Sequence, residues 1–162
     1  MKFPKEFLLT TLFLEEKNLQ LEGNGGFSKK NTLGGAAFMS AQQNATGEIW
    51  KAIPIGDGYF QLTTVFVEKK GLVLEGNGGL DPKNTLGGAA FMSPQKNATG
   101  TMWKAIPLPN GYFQLTTRFM EPHGVVLEGN GGLDPHNTLG GAAFLSRQTN
   151  ASGTMWKAIP IR

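Results

Sequence analysis

The sequence contains no cysteine, so a disulfide framework, a thiolate nucleophile and a thiolate metal ligand are all excluded, and stability must come from packing. Charge is sparse as well. Lys, Arg, Asp and Glu make up 17% of the 162 residues and the net charge is +3. The basic residues are scattered rather than gathered into a run that could track a phosphate backbone, so nucleic acid is not an expected partner. No stretch approaches the roughly 18 to 20 consecutive apolar residues that cross a bilayer, and membrane insertion is not expected. Only two histidines occur, His123 and His136, each standing where the other copies of an internal repeat carry Lys. They read as surface variation. Neither a GxSxG elbow nor a phosphate loop is present.

What the sequence has in quantity is glycine, 23 residues, with 9 prolines and 40% hydrophobic residues, a globular balance tilted towards turns. The length predicts one domain over residues 1–162. The opening MKFPKEFLLTTLFL imitates a secretion signal, but related segments recur internally as FQLTTVFV from Phe60 and FQLTTRFM from Phe113. The segment is therefore expected to be a strand and not a removable leader, which would leave the protein cytoplasmic or non-classically released.

The dominant pattern is a repeat. Trp50, Trp103 and Trp156 lie 53 residues apart, and LEGNGG (from Leu21, Leu74 and Leu127), NTLGGAAF (from Asn31, Asn84 and Asn137) and WKAIP keep the same register. The second and third copies agree at roughly three-quarters of aligned positions, far more than shared propensity produces. The copies run about 7–59, 60–112 and 113–162. Each carries four short strand-like pieces bounded by Gly, Pro or Asn, in the second copy Phe60 to Val67, Leu72 to Asn77, Ala89 to Ser93 and Thr101 to Pro107.

Alternation places Phe60, Leu62 and Phe66 on one face and Gln61 and Thr63 on the other. It also sets Leu72 and Leu74 against Val73, Glu75 and Asn77, and because Gln20 replaces Val73 in the first copy, that second face is expected to be wet. Asp57-Gly58 and Asn110-Gly111 suit tight hairpins with positive φ. Asn18, Gly71 and Gly124 occupy one equivalent position, and Asn in place of Gly points to left-handed backbone there. Asp81-Pro82 and Asp134-Pro135 open the loop after the second strand. Twelve strands with no atypical terminal unit describe a closed body, an all-β β-trefoil with pseudo-threefold symmetry.

The order LEGNGG, GGAAFMSP, NATGTMWKAIP, NGYFQLTT resembles the ricin-type lectin repeat over essentially the whole chain. EGNGG with its Pro/Asn loop is also similar to the HPxGG signature of mussel trefoil lectins. The resemblance implies that Glu22, Glu75 and Glu128, at the end of the second strand, grip sugar hydroxyls. It also implies that Trp50, Trp103 and Trp156, matching the Trp of QxW, are core residues. The Gln of that signature is Glu48, Thr101 or Thr154 here, and the usual aromatic platform is Ser40, Ser93 or Ser146.

A neutral sugar offers hydroxyls and one apolar face, so its site needs a carboxylate or amide and a surface for the ring. Glu75 and Asn77 would form the polar fork, Gly78 and Gly79 would bring backbone amides close, Phe91 would support the ring, and Gln95 and Asn97 would reach the remaining hydroxyls. The equivalent sets are Glu22, Asn24, Phe38, Gln42 and Asn44, and then Glu128, Asn130, Phe144, Gln148 and Asn150. The competing readings are a plain tight turn for EGNGG with a solvated Glu, core packing for the three Phe, and a solvated face for Lys51, Lys104 and Lys157. Asn44-Ala45-Thr46, Asn97-Ala98-Thr99 and Asn150-Ala151-Ser152 match the glycosylation acceptor pattern but read as loop residues. Glu75 with Asp81 and Glu128 with Asp134 could offer oxygens to calcium, but Ser28 replaces the Asp in the first copy, so neither a metal nor any cofactor is expected.

Catalysis usually needs one asymmetric constellation, whereas a repeat supplies the same residues three times, so an enzyme is not expected. The expectation is a lectin with up to three similar sites for glycans and glycoconjugates, of the galactose or N-acetylgalactosamine type, acting multivalently as a monomer or homodimer. The alternatives are a protein-binding trefoil, such as a protease inhibitor or interaction module, and a symmetric scaffold with no ligand.

Overall fold

The computed structural model describes residues 2–28, 34–81, 86–134 and 140–161. The first copy contributes β1 (Phe7–Thr11), β2 (Gln20–Glu22), β3 (Phe38–Ser40) and β4 (Trp50–Gly56). The second contributes β5 (Tyr59–Thr64), β6 (Val73–Glu75), β7 (Phe91–Ser93) and β8 (Trp103–Pro107). The third contributes β9 (Phe113–Thr117), β10 (Val126–Glu128), β11 (Phe144–Ser146) and β12 (Trp156–Pro160). The first and fourth strands of each copy close a six-stranded barrel in the order β1-β12-β9-β8-β5-β4, and the second and third strands form three separate two-stranded hairpins. This is a β-trefoil.

Short sequence signals account for these elements. In β5, Leu62 is buried in the core while Thr63 and Thr64 direct their hydroxyls to the carbonyls of Leu72 and Gly23 at 2.7 and 2.9 Å. The strand ends there, because Glu68–Lys70 forms a 3-10 turn, so the first strand is shorter than its apolar pattern suggests. Asn18, Gly71 and Gly124 end these turns at φ 58, 72 and 68, the left-handed conformation that the Asn/Gly exchange predicts. Asp57 and Gly58 both have positive φ. At the other hairpin only Gly111 does; Asn110 instead accepts the Tyr112 amide on its side-chain oxygen at 3.0 Å, which closes the turn without left-handed backbone.

The core lies inside the barrel and beneath the hairpins. All three Trp rings are fully buried, and each indole N–H donates to the carbonyl of Leu21, Leu74 or Leu127 at 2.8–2.9 Å, so the core reading of the tryptophans holds. Phe7, Phe60 and Phe113 pair in register with Trp50, Trp103 and Trp156, joining the first and fourth strands within each copy. Phe3, which has no counterpart in the other copies, lays its ring 5.0, 5.0 and 5.7 Å from those of Phe7, Phe60 and Phe113. On the hairpin side, backbone amides link Ala37 to Ala90, Ala90 to Ala143 and Ala143 back to Ala37, each at 2.8 Å. The prolines Pro82 and Pro135, His136, and the Asn that begins each NTLGGAAF lie outside the described residues.

Candidate functional site

Beside each EGNGG segment three pieces of chain meet. Glu75 ends β6, Asn77 follows it in a turn, and the backbone between them is pinned at Gly76, whose amide donates to the Gly100 carbonyl at 2.8 Å and whose carbonyl accepts the Thr117 hydroxyl at 2.8 Å. Glu75, Asn77, Asp81, Gln95, Ala98, Thr99, Gly100 and Phe119 enclose a cavity of about 360 Å³. The first copy repeats it with Glu22, Asn24, Ser28, Gln42, Ala45, Thr46, Gly47 and Phe66 around about 210 Å³. In the third copy Glu128 and Asn130 hold the same mutual hydrogen bond, and the Phe13 amide reaches the Ser152 carbonyl as those of Phe66 and Phe119 reach Thr46 and Thr99.

Alternation predicts Glu22, Glu75, Glu128 and the Asn residues on a wet face; the structure corrects this, since all six are 1% exposed. The three-residue hairpin strands are covered on both sides, by the core on one and by the turns at Thr46–Glu48, Thr99–Thr101 and Ser152–Thr154 on the other. Fit is close enough that a Cβ added to Gly47, Gly100 or Gly153 would stand 3.2–3.3 Å from the Glu Cγ beneath it. Each Asn works internally. Its Nδ2 donates to the neighbouring Glu Oε2 at 2.8–2.9 Å, and its Oδ1 accepts the amide of Gly26, Gly79 or Gly132 at 2.9 Å. Those amides, expected to approach a ligand, are thus already engaged, and the carboxylate is held in one orientation at the cavity floor.

Gln42 and Gln95 stand where the spacing puts them, on the wall of their cavities. Asn44, Asn97 and Asn150 are exposed and line neither of the two cavities; Asn97 instead borders a neighbouring hollow with Tyr59 and Arg118. Phe38, Phe91 and Phe144 are 7–8% exposed, pair across the hairpin with Glu22, Glu75 and Glu128, and take no part in either cavity, so the packing reading fits them. The aromatic walls are Phe66 and Phe119, half-buried and supplied by the copy that follows; Phe66 also packs against the core, on the face where alternation puts it. Their recurrence at 13, 66 and 119 was the available signal. Lys51, Lys104 and Lys157 are not merely solvated, since they pair with Glu68, Glu121 and Glu15 at 2.8, 2.7 and 3.2 Å. Ser40, Ser93 and Ser146 are buried and accept the amides of Gln42, Gln95 and Gln148. His123 is exposed. Among the described residues no three His, Asp or Glu side chains gather in a metal-binding group.

No family model and no curated protein matches the chain. Solved structures do. A designed threefold symmetric protein, ThreeFoil, superposes with a TM-score of 0.68 at 16% identity over 97% of this chain and 99% of its own. SeviL, solved with the asialo-GM1 saccharide, gives 0.65 at 14% identity over 98% and 99%. A mosquitocidal holotoxin gives 0.69 at 13% identity, covering 100% of this chain and 18% of that one. At these identities the likeness establishes the trefoil architecture.

Proposed function

We propose that the chain binds glycans through its repeated pockets and does no chemistry on them. The observation that carries this reading is the pairing, in successive copies, of a fixed carboxylate and amide at the cavity floor with a half-buried Phe ring on the wall. A carboxylate accepts sugar hydroxyls, Gln42 or Gln95 can donate and accept, and the ring offers a surface to the apolar face of a pyranose. SeviL, a protein of this architecture, is solved with a saccharide, which supports the same reading. Galactose or N-acetylgalactosamine at the end of a glycan is the proposed ligand class. Weak sites on one rigid body gain by acting together on a multivalent surface.

The test is a glycan array with red-cell agglutination, competed by free galactose and N-acetylgalactosamine. Replacing Glu22, Glu75 and Glu128 together by Gln is expected to lower array binding at least about tenfold, because a charged acceptor becomes a neutral one. Thermal unfolding of that variant should shift little, since the amide oxygen still accepts from Asn24, Asn77 and Asn130. Undiminished binding would remove these pockets from the function. One observation favours a second reading, a ligand-free symmetric scaffold: each carboxylate already has an internal partner in its Asn. A blank array would select it.

A further inference from the structure

The first copy departs from the other two at several buried positions, and one of these departures lies under its pocket. Thr101 and Thr154 are fully buried, and their hydroxyls donate to the carbonyls of Ala98 and Ala151 at 2.7 and 2.6 Å. In the first copy that position is Glu48, 1% exposed, and neither of its carboxyl oxygens has a hydrogen-bond partner. Buried polar groups are ordinarily satisfied, and a buried charge without a partner is costly. Ala45, Thr46 and Gly47, immediately before it, form the pocket wall.

Few charges act on it. The turn carrying Glu48 packs on β2, whose one titratable group is Glu22, and on β5, whose one titratable group, Tyr59, sits at the far end bound to Glu121. Lys51, on the strand that follows, is turned to Glu68 and Glu6 at 2.8 and 4.0 Å. Burial first, and repulsion from Glu22 second, push the Glu48 carboxyl from 4.5 to about 7, against a smaller downward pull from the nearby Ala45 amide and Ser40 hydroxyl, neither of which meets hydrogen-bond geometry with it.

We propose that the first copy's pocket is proton-sensitive and the second copy's is not, with Glu48 acting through Glu22 as a positioning residue. This rests on reading the pockets as glycan sites. With Glu48 protonated, Glu22 is the lone anion at the floor. With Glu48 ionised, two carboxylates repel each other there, and a ligand that displaces the screening water makes the repulsion stronger. The complex therefore tolerates the ionised form less than the empty pocket does. By linkage, binding takes up a proton and affinity falls as pH rises through neutrality.

The test uses the full chain. Galactose is titrated into Glu75→Gln/Glu128→Gln, which keeps the first pocket, at about pH 5.5 and about pH 8.5, on either side of the titration, and into the same background with Glu48→Thr. The expected result is a weakening of about fivefold or more at the higher pH that Glu48→Thr abolishes; an equal pH profile with and without Glu48 overturns the proposal. If galactose binds no form of the chain, the glycan reading fails by itself. Carbon-13 carboxyl NMR of the unsubstituted chain then decides the proposal, as it does if the double variant does not fold. The Glu22 signal should show an inflection near neutrality that Glu48→Thr removes and that Glu75 and Glu128 lack. A Glu22 curve without it overturns the proposal.

Discussion

At the scale of single residues, identical surroundings make one substitution informative. Glu48 and its counterparts Thr101 and Thr154 share a backbone and a burial, but only the threonines close a hydrogen bond. Because the folded chain raises the Glu48 carboxyl from 4.5 to about 7, the native state holds more protons than the unfolded chain between those values. Stability therefore falls as pH rises through that window and stays low above it, by up to about 3 kcal/mol. Glu48→Thr should remove this slope. Thermal unfolding at about pH 5 and pH 8 is the check: the unsubstituted chain should lose several degrees at the higher pH and the variant should not, so that the variant is the more stable of the two there. An equal loss in both would place the sensitive group elsewhere.

At the scale of elements, each 3-10 turn after a first strand ends on a residue in left-handed backbone, Asn18 at φ 58 and ψ 40 in the first copy. A Cβ without a compensating side chain strains that geometry, so Asn18→Ala should cost about 1 kcal/mol while Asn18→Gly stays near neutral, read from urea unfolding midpoints. That position was legible in the sequence because Asn and Gly exchange there for one physical reason. The barrel, the buried Trp and the Glu/Asn/Gln part of each pocket were legible on similar grounds, from a 53-residue period that fixes equivalent positions. The burial of Glu75 was not. Two-fold alternation assumes one wet face, and β6 is three residues long with a turn lying over that face. Phe119 was hidden for another reason: it lies beyond the end of β9, where the chain leaves the strand geometry that alternation describes, and it serves the pocket of the preceding copy.

At the scale of the whole molecule, closure is made by the same contacts at all three junctions, although only two of them are bridged by chain. β1 and β12 pair from Phe7↔Pro160 to Thr11↔Trp156, as β5 pairs with β4 and β9 with β8. Lys157 pairs with Glu15 across this junction, and Tyr112 adds its hydroxyl to the same carboxylate. The ring of Ala37, Ala90 and Ala143 amides passes through all three copies without distinguishing them. If the third junction is equivalent to the others, the covalent bridge can be moved. A circular permutant opened between Asp57 and Gly58, an exposed turn, with a short glycine linker joining the old ends, is expected to unfold within about 5 °C of the parent. The Ile161 amide already reaches the Glu6 carbonyl at 3.1 Å, so the ends lie close. One asymmetry must survive the change: the linker has to leave Phe3 seated among Phe7, Phe60 and Phe113. Loss of that ring from an aromatic cluster should cost about 3 kcal/mol, so a second permutant carrying Phe3→Ala separates a disturbed plug from a failed junction. Should the first permutant unfold far below the parent while Phe3→Ala still costs it about 3 kcal/mol more, the plug is seated, the junction between β1 and β12 depends on the order of the chain, and the three copies are not energetically alike.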